Sequence, residues 1–328
     1  MEAIAEAANS VARRTLLDRY KQGKSNETLR RHECDIALFE EYLENAHHFT
    51  KGMKDDLSLW QGMSYGIASG FQQWQLQSGY SISSVNARTT TIKKYCKLAH
   101  QAGYVSDKEA IAIKEIRGIS FKEGRNIDEN REVHRIGRKK SQTVLLYESH
   151  VQLIKKKLYE DSRTDQSKAR DYLLFCLLVD HGLRCGEVAD LETKNLDTTT
   201  GTLVFYRRKV HKTQTHNLTS DTFEAAEVYL KMAMPGEKLF RGNAHKTHEK
   251  TSEDGLTTRA INKIIAKLGN LVGKQGLSPH DLRHYWATAA TRKGTDIKSL
   301  QQAGGWNSPY MPLRYAEESA IANEGVKL

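Results

Sequence analysis

Residues 278–315 read SPHDLRHYWATAATRKGTDIKSLQQAGGWNSPYMPLRY. Ser278 is placed to cap a helix whose first turn holds Pro279. His280 and Arg283 stand three apart and so share one face of that helix. A Gly304-Gly305-Trp306 turn follows, and Tyr315 comes nine residues after Trp306. An imidazole and a guanidinium on one face, followed by a tethered phenol, suit attack on a phosphodiester. What the rest of the chain supplies decides that reading.

Upstream, Leu173 to Val179 is apolar all round and marks the core of the second half of the chain. A turn at His181-Gly182 follows, then Arg184 at the start of a short helix with Glu187 three residues on. An arginine held there is costly without an anion to bind, and Glu187 can brace it from the same face. Taken alone, the pair reads as a common structural feature of helices. The stretch GTLVFYRRKVHKTQTHNLTS, 201–220, has β-branched and aromatic residues on either side of a polar turn and predicts a hairpin. That hairpin carries Arg207, Arg208, Lys209 and Lys212. Helices are expected on either side of it: over 145–161, over 221–234 up to Pro235-Gly236, and over 256–276.

The first half predicts a helical domain over residues 1–105. A frayed helix over 1–24 precedes an amphipathic one with Leu29, Ile36, Phe39 and Leu43 inward. Leu57 to Ser78 reads as one helix with Trp60, Met63, Ile67, Phe71 and Trp74 along its core stripe. The next helix turns Val85, Ile92, Tyr95 and Ala99 inward and leaves Arg88, Lys93, Lys94 and Lys97 outside. Those cations are either solvated surface or a face for DNA phosphates. Residues 106–141 lose apolar periodicity after Ile119, carry nine Lys or Arg against five Asp or Glu from Lys114 to Lys140, and end in Arg138-Lys139-Lys140. They read as an extended basic linker between domains. Residues 142–328 form the second domain. The fold class expected is mostly α with a small antiparallel sheet.

At 328 residues two domains are the default. A net charge of +10 favours a polyanionic partner, the alternative being a merely basic soluble protein. No run of eighteen apolar residues occurs, so no membrane span is expected. The first twenty residues lack an apolar segment behind a basic cluster, so no secretory signal is expected either. Cys34, Cys96, Cys176 and Cys185 are scattered without CxxC spacing, which points to reduced, buried thiols of a cytoplasmic protein and to neither disulfides nor zinc. No nucleotide-binding glycine loop and no metal-ligand cluster stands out.

Two arginines, an imidazole, an indole, a hairpin lysine and a tyrosine together are hard to explain as packing. In these residues the sequence resembles the tyrosine recombinases, the phage-integrase type that includes Cre and the Xer proteins. The matching positions are Arg184 in GLRCGE, His280 and Arg283 in HDLRHYWAT, Trp306 in GGWNS and Tyr315 in LRYAE. Many members have histidine where this chain has Trp306, which keeps a hydrogen-bond donor and gives up proton transfer. Members often carry Pro-Leu at Asn217-Leu218, and counting back from there places the catalytic lysine at Lys209, with Lys212 as a competitor. Arg207 and Arg208 read as phosphate contacts, together with Arg88, Lys93, Lys94, Arg138, Lys139 and Lys140.

The resemblance implies strand cutting and rejoining through a 3′-phosphotyrosine, with no ATP, metal or other cofactor called for. Tyr315 would be the nucleophile, His280 its base, Arg184, Arg283 and Trp306 the phosphate clamp, and the hairpin lysine the acid that protonates the leaving 5′ oxygen. Glu187 would orient Arg184, and His284 and Tyr285 read as packing. The implied partners are a double-stranded recombination site, three further copies of the chain in a homotetramer on two sites, and accessory DNA-bending proteins, with the tail after Tyr315 docking on a neighbour or on its own domain. The biological role expected is integrase or resolvase of a mobile element. A topoisomerase-like nicking and resealing enzyme, or a DNA-binding protein that keeps the fold without strand exchange, are the alternatives.

Overall fold

Serines punctuate the first half of the chain, and four of them start helices. The side chains of Ser25, Ser64, Ser106 and Ser120 each accept a backbone N–H from the first turn that follows, filling donors that a helix leaves orphaned. A computed structural model describes residues 1–134, 143–233, 236–242 and 255–319. The chain divides into two units, Met1–Lys139 and Lys140–Leu328.

In the first unit the helices are α1 (Glu2–Gln22), α2 (Asn26–Asn45), α3 (Tyr65–Gln77), α4 (Ile82–Gln101), α5 (Asp107–Lys114) and α6 (Phe121–Asn130). Its core is aromatic: Phe39 stacks on Trp60 and meets Phe71 edge-on, and Tyr95 also stacks on Trp60. Val85, Ile92, Tyr95 and Ala99 are buried on α4 as the periodicity predicts. The single helix expected over Leu57 to Ser78 is instead a 3-10 turn, Leu57–Trp60, followed by α3. Gly62 breaks it with φ +81°, a left-handed conformation that glycine adopts freely.

The extended linker expected over 106–141 is corrected for residues 107–130, which form α5 and α6. Few apolar residues are needed because main-chain groups are clipped to α4. Asn86 donates to the Ile119 carbonyl and accepts from its N–H, both at 2.8 Å. Lys93 donates to the carbonyls of Lys114 and Ile116 at 2.7 and 2.6 Å. Ile113 and Ile116 supply the buried contact. Arg138, Lys139 and Lys140 lie outside the described residues, as does Pro235.

The second unit holds α7 (Glu148–Ser162), α8 (Gln166–Asp180), α9 (Cys185–Asp190), α10 (Ser220–Ala233), α11 (Thr258–Asn270), α12 (Pro279–Arg292), α13 (Ile297–Gly304) and α14 (Tyr310–Ser319). The strands are β1 (Leu196–Asp197), β2 (Thr202–Arg207) and β3 (Lys212–Asn217), antiparallel in the order β1-β2-β3. The predicted hairpin is present, paired from Thr202 with Asn217 to Arg207 with Lys212. Every residue of α8 from Tyr172 to Val179 is buried, and α7, α10 and α12 pack around it. The mostly helical fold class with one small sheet is thus observed. Of the cysteines read as buried, Cys96 and Cys176 are, whereas Cys34 is exposed. Among the described residues no helix is long and apolar enough to cross a membrane.

Candidate active site

The end of α13 gathers the site. A helix leaves its last carbonyls without intrahelical partners and carries partial negative charge there. Here four consecutive carbonyls each accept from a different side chain. Gln302 O accepts from Gln214 Nε2 at 2.5 Å, Ala303 O from Arg207 Nη2 at 2.6 Å, Gly304 O from Arg283 Nη2 at 2.5 Å, and Gly305 O from Arg184 Nη2 at 3.2 Å. Three guanidiniums are thereby drawn to one helix end. Gly305 closes the helix with φ +60°, and a β-carbon on it would collide with the stem of Arg207.

Glu187 sits beneath two of these arginines. Its Oε1 accepts from Arg184 Nη1 at 2.8 Å, and its Oε2 from Arg207 Nη1 at 2.6 Å and from the Arg184 backbone N–H at 2.8 Å. Arg184 is half-buried, and Arg207 is fully buried. Arg207 is therefore no surface phosphate contact, which corrects the expectation from sequence. Its Nε donates to Gln214, so all three guanidinium nitrogens are engaged. The sequence held a signal for this: Leu203, Phe205 and Arg207 alternate inward on β2, so the charge falls on the apolar face.

On α12, Asp281 accepts from the Ser278 N–H at 2.8 Å and its hydroxyl at 2.6 Å, so the predicted cap region is present. Arg283 is buried, and its other bonded nitrogen, Nη1, donates to the Gly182 carbonyl. Its guanidinium lies 4.5 Å from the centre of the Trp306 ring and 5.8 Å from that of Trp286. Burial, with Arg184 and Arg207 nearby, lowers its pKa to about 9. It remains charged at neutral pH, but that charge is poorly solvated and favours an incoming anion.

Tyr315 on α14 is 3% exposed. Its ring lies 5.7 Å from Trp306 and meets His284 edge-on at 5.0 Å. His280 is exposed and lines, with Tyr315, His284 and Arg314, a cavity of about 670 Å³. The structure thus brings Arg184, Glu187, Arg283, Trp306 and Tyr315 together, with His280 and Tyr315 facing the same space. Lys209 and Lys212 are both exposed at the hairpin end.

The remaining expected DNA contacts divide. Lys94 and Arg208 are exposed, the latter paired with Asp190 at 3.0 Å. Arg88 is half-buried over the Tyr80 ring and donates to Gln75, and Lys93 is spent on main-chain carbonyls. These two hold the first unit together.

Sequence reasoning missed two histidines behind the site. His181 and His216 lie 5.8 Å apart, His181 against the Thr222 hydroxyl at 3.1 Å and His216 against the Ala303 carbonyl. Burial pushes their pKa values down to about 3 and about 4. It also missed Trp286, whose ring stacks at 6.0 Å on Trp306 and covers Gly182.

The phage integrase family matches residues 146–320, more than half of the chain. The chain belongs to that family. This integrase-family chain is 23% identical to the tyrosine recombinase XerC of Syntrophus aciditrophicus (strain SB) over 92% of its length and 91% of the relative's. It is 32% identical to a tyrosine recombinase of Pseudothermotoga lettingae over 45% of its length and 49% of the relative's. In fold it is similar to the Tn1549 transposon integrase in complex with transposon right end DNA, with TM-score 0.64 and 14% identity, covering 92% of this chain and 93% of that one. It is similarly close to a lambda integrase dimer bound to a COC′ core site, with TM-score 0.63 and 14% identity, covering 96% and 80%. The chain is a tyrosine recombinase, a DNA strand transferase.

Proposed function

We propose that this chain is a site-specific recombinase, the integrase or resolvase of a mobile element, working as a homotetramer on two double-stranded DNA sites. The observation that carries the reading is the set of guanidiniums on the α13 end beside Tyr315. Arg184 and Arg207 share one carboxylate, Glu187, and Arg283 is bonded to main-chain carbonyls alone, so positive charge is in excess where a phosphate would sit.

In this reading the Tyr315 hydroxyl attacks the scissile phosphorus while His280 takes its proton, since a phenol of pKa ~10 is a weak nucleophile at neutral pH. Arg184, Arg283 and the Trp306 N–H bind the non-bridging oxygens as negative charge grows on them. The bond to the 5′ oxygen breaks, and Lys209 protonates that oxygen. The products are a 3′-phosphotyrosyl enzyme and a free 5′-hydroxyl. A 5′-hydroxyl from the partner duplex then reverses the step. Lys94, Arg138, Lys139, Lys140 and Arg208 contact backbone phosphates, and accessory bending proteins assist assembly.

The test uses nicked duplexes made from DNA repeats that flank the gene. A covalent adduct that disappears in Tyr315→Phe, with strand exchange between two sites, is expected. Absence of any adduct on a duplex the protein binds would falsify the enzymatic reading, and an adduct without strand exchange would reduce it to nicking and resealing.

A further inference from the structure

We infer that Arg207 is a positioning residue that holds the hairpin lysine in register with the phosphate clamp; the inference rests on the recombinase reading above. Arg207 is the last residue of β2 and pairs with Lys212, the first of β3. It stands two residues before Lys209. Its Nη1 donates to Glu187 on α9, its Nε to Gln214 on β3 and its Nη2 to Ala303 on α13. One planar group therefore ties the turn end of the hairpin to α9, which begins at Arg184, and to the end of α13, whose carbonyls hold Arg283 and Arg184. A guanidinium fork with three fixed partners also sets an angle, which the single ammonium of a lysine cannot do.

Independent features support a built joint. Gln214, bonded to the Arg207 Nε, in turn donates to the Gln302 carbonyl. Gly305 leaves open the volume that the Arg207 stem fills. Arg207 is fully buried, so it cannot reach a DNA phosphate without breaking all three contacts. Burial and the nearby Arg184 disfavour its charge, while Glu187 favours it. A buried cation of this kind is expensive to keep. The three bonds hold it in the interior at the last rung before the turn that carries Lys209. The hairpin end beyond it, Arg208 to Lys212, is largely exposed.

A lysine that protonates a leaving oxygen becomes dispensable when the leaving atom no longer needs a proton. The experiment therefore compares ordinary nicked duplex with one whose scissile 5′ oxygen is replaced by sulfur, a leaving group of far lower pKa. Single-turnover adduct formation is measured for wild type, Arg207→Met, Arg207→Lys, Gln214→Met, Lys209→Ala and Arg184→Ala, with DNA affinity and circular dichroism recorded for each.

Both Arg207 variants are expected to slow cleavage of the oxygen substrate about 10²-fold, the scale of an ångström-sized misplacement. Their DNA affinity should hold, and the sulfur substrate should restore most of the rate, as it does for Lys209→Ala and not for Arg184→Ala. Gln214→Met should show a smaller loss of the same kind. Equal slowing of the Arg207 variants on both substrates, or no slowing, overturns the inference. If Arg207→Met does not fold, Arg207→Lys, which keeps the charge and loses the fork, decides the matter. A wild-type protein that binds the duplex yet forms no adduct on either substrate would instead overturn the recombinase reading.

Discussion

The Arg283 guanidinium stacks against the Trp306 ring at 4.5 Å while two main-chain carbonyls hold its nitrogens. Trp306 therefore steadies a buried cation with its ring face, and in the proposed reading its N–H also donates to a phosphate oxygen. Substitution separates the two roles. Trp306→Phe keeps a ring over Arg283 and removes the donor, and cleavage should fall roughly 10²-fold with DNA affinity unchanged. Trp306→His restores a donor and should recover part of that loss. A Phe variant as fast as wild type would assign Trp306 to packing alone.

Glu187 bears on folding as well as on chemistry. Removing one partner from a buried ion pair leaves the other charge uncompensated, at a cost of about 3–5 kcal/mol. Glu187→Gln strips the counter-ion from both Arg184 and Arg207. Urea unfolding should show a loss at the lower end of that range, since Arg184 is half-buried and the amide can still accept one bond. Unchanged stability would mean that the arginines find other partners in the free protein.

The hairpin offers two lysines, and the geometry separates them. Lys212 is fixed in the ladder opposite Arg207, whereas Lys209 lies in the turn beyond it. Lys209→Ala should slow adduct formation at least about tenfold more than Lys212→Ala, in keeping with the 10²–10⁴ that a positioned acid contributes. The reverse order would move the acid to Lys212.

His181 and His216 make stability depend on pH. Their folded pKa values, about 3 and about 4, lie below the ordinary imidazole value near 6.5, so the unfolded chain binds more protons between these limits. Stability is then fully present above pH ~6.5 and is lost as pH falls toward 4. The unfolding midpoint should stay flat from pH 8 to 7 and drop from 6 to 4. In His216→Gln, which keeps a donor for the Ala303 carbonyl, that drop should be smaller. A variant with the full wild-type drop would remove His216 as a source.

Gly305 adopts φ +60° with the Arg207 stem against it. Gly305→Ala meets both a strained backbone and a steric clash, and about 1–3 kcal/mol of destabilisation is expected from denaturant unfolding. Cleavage should fall with it, since the carbonyls of the same turn hold Arg283 and Arg184.

Much of this could be read from the chain. The hairpin, the buried α8 and the Ser278 helix start follow from local pattern, and Arg184, His280, Arg283, Trp306 and Tyr315 were legible through their resemblance to the tyrosine recombinases. What escaped depends on contacts distant in sequence. Residues 107–130 look like a linker because Asn86 and Lys93 hold their main chain by hydrogen bonds, which leave no apolar period to see. Arg207 passed for a phosphate contact because it sits in a basic run. Its inward register shows once strand alternation is counted from Leu203. The part of α13 in the site could not be read at all, since it acts through carbonyls that every sequence possesses.

That last point reaches beyond this chain. Arg283 is aimed by the carbonyls of Gly182 and Gly304, whose positions follow from the path of two glycine turns packed under Trp286 and Trp306. A fixture made of main chain can survive replacement of surroundings that leave those turns and their packing intact. Drift in sequence can therefore retune which DNA the protein grips while the angle of the clamp is inherited intact.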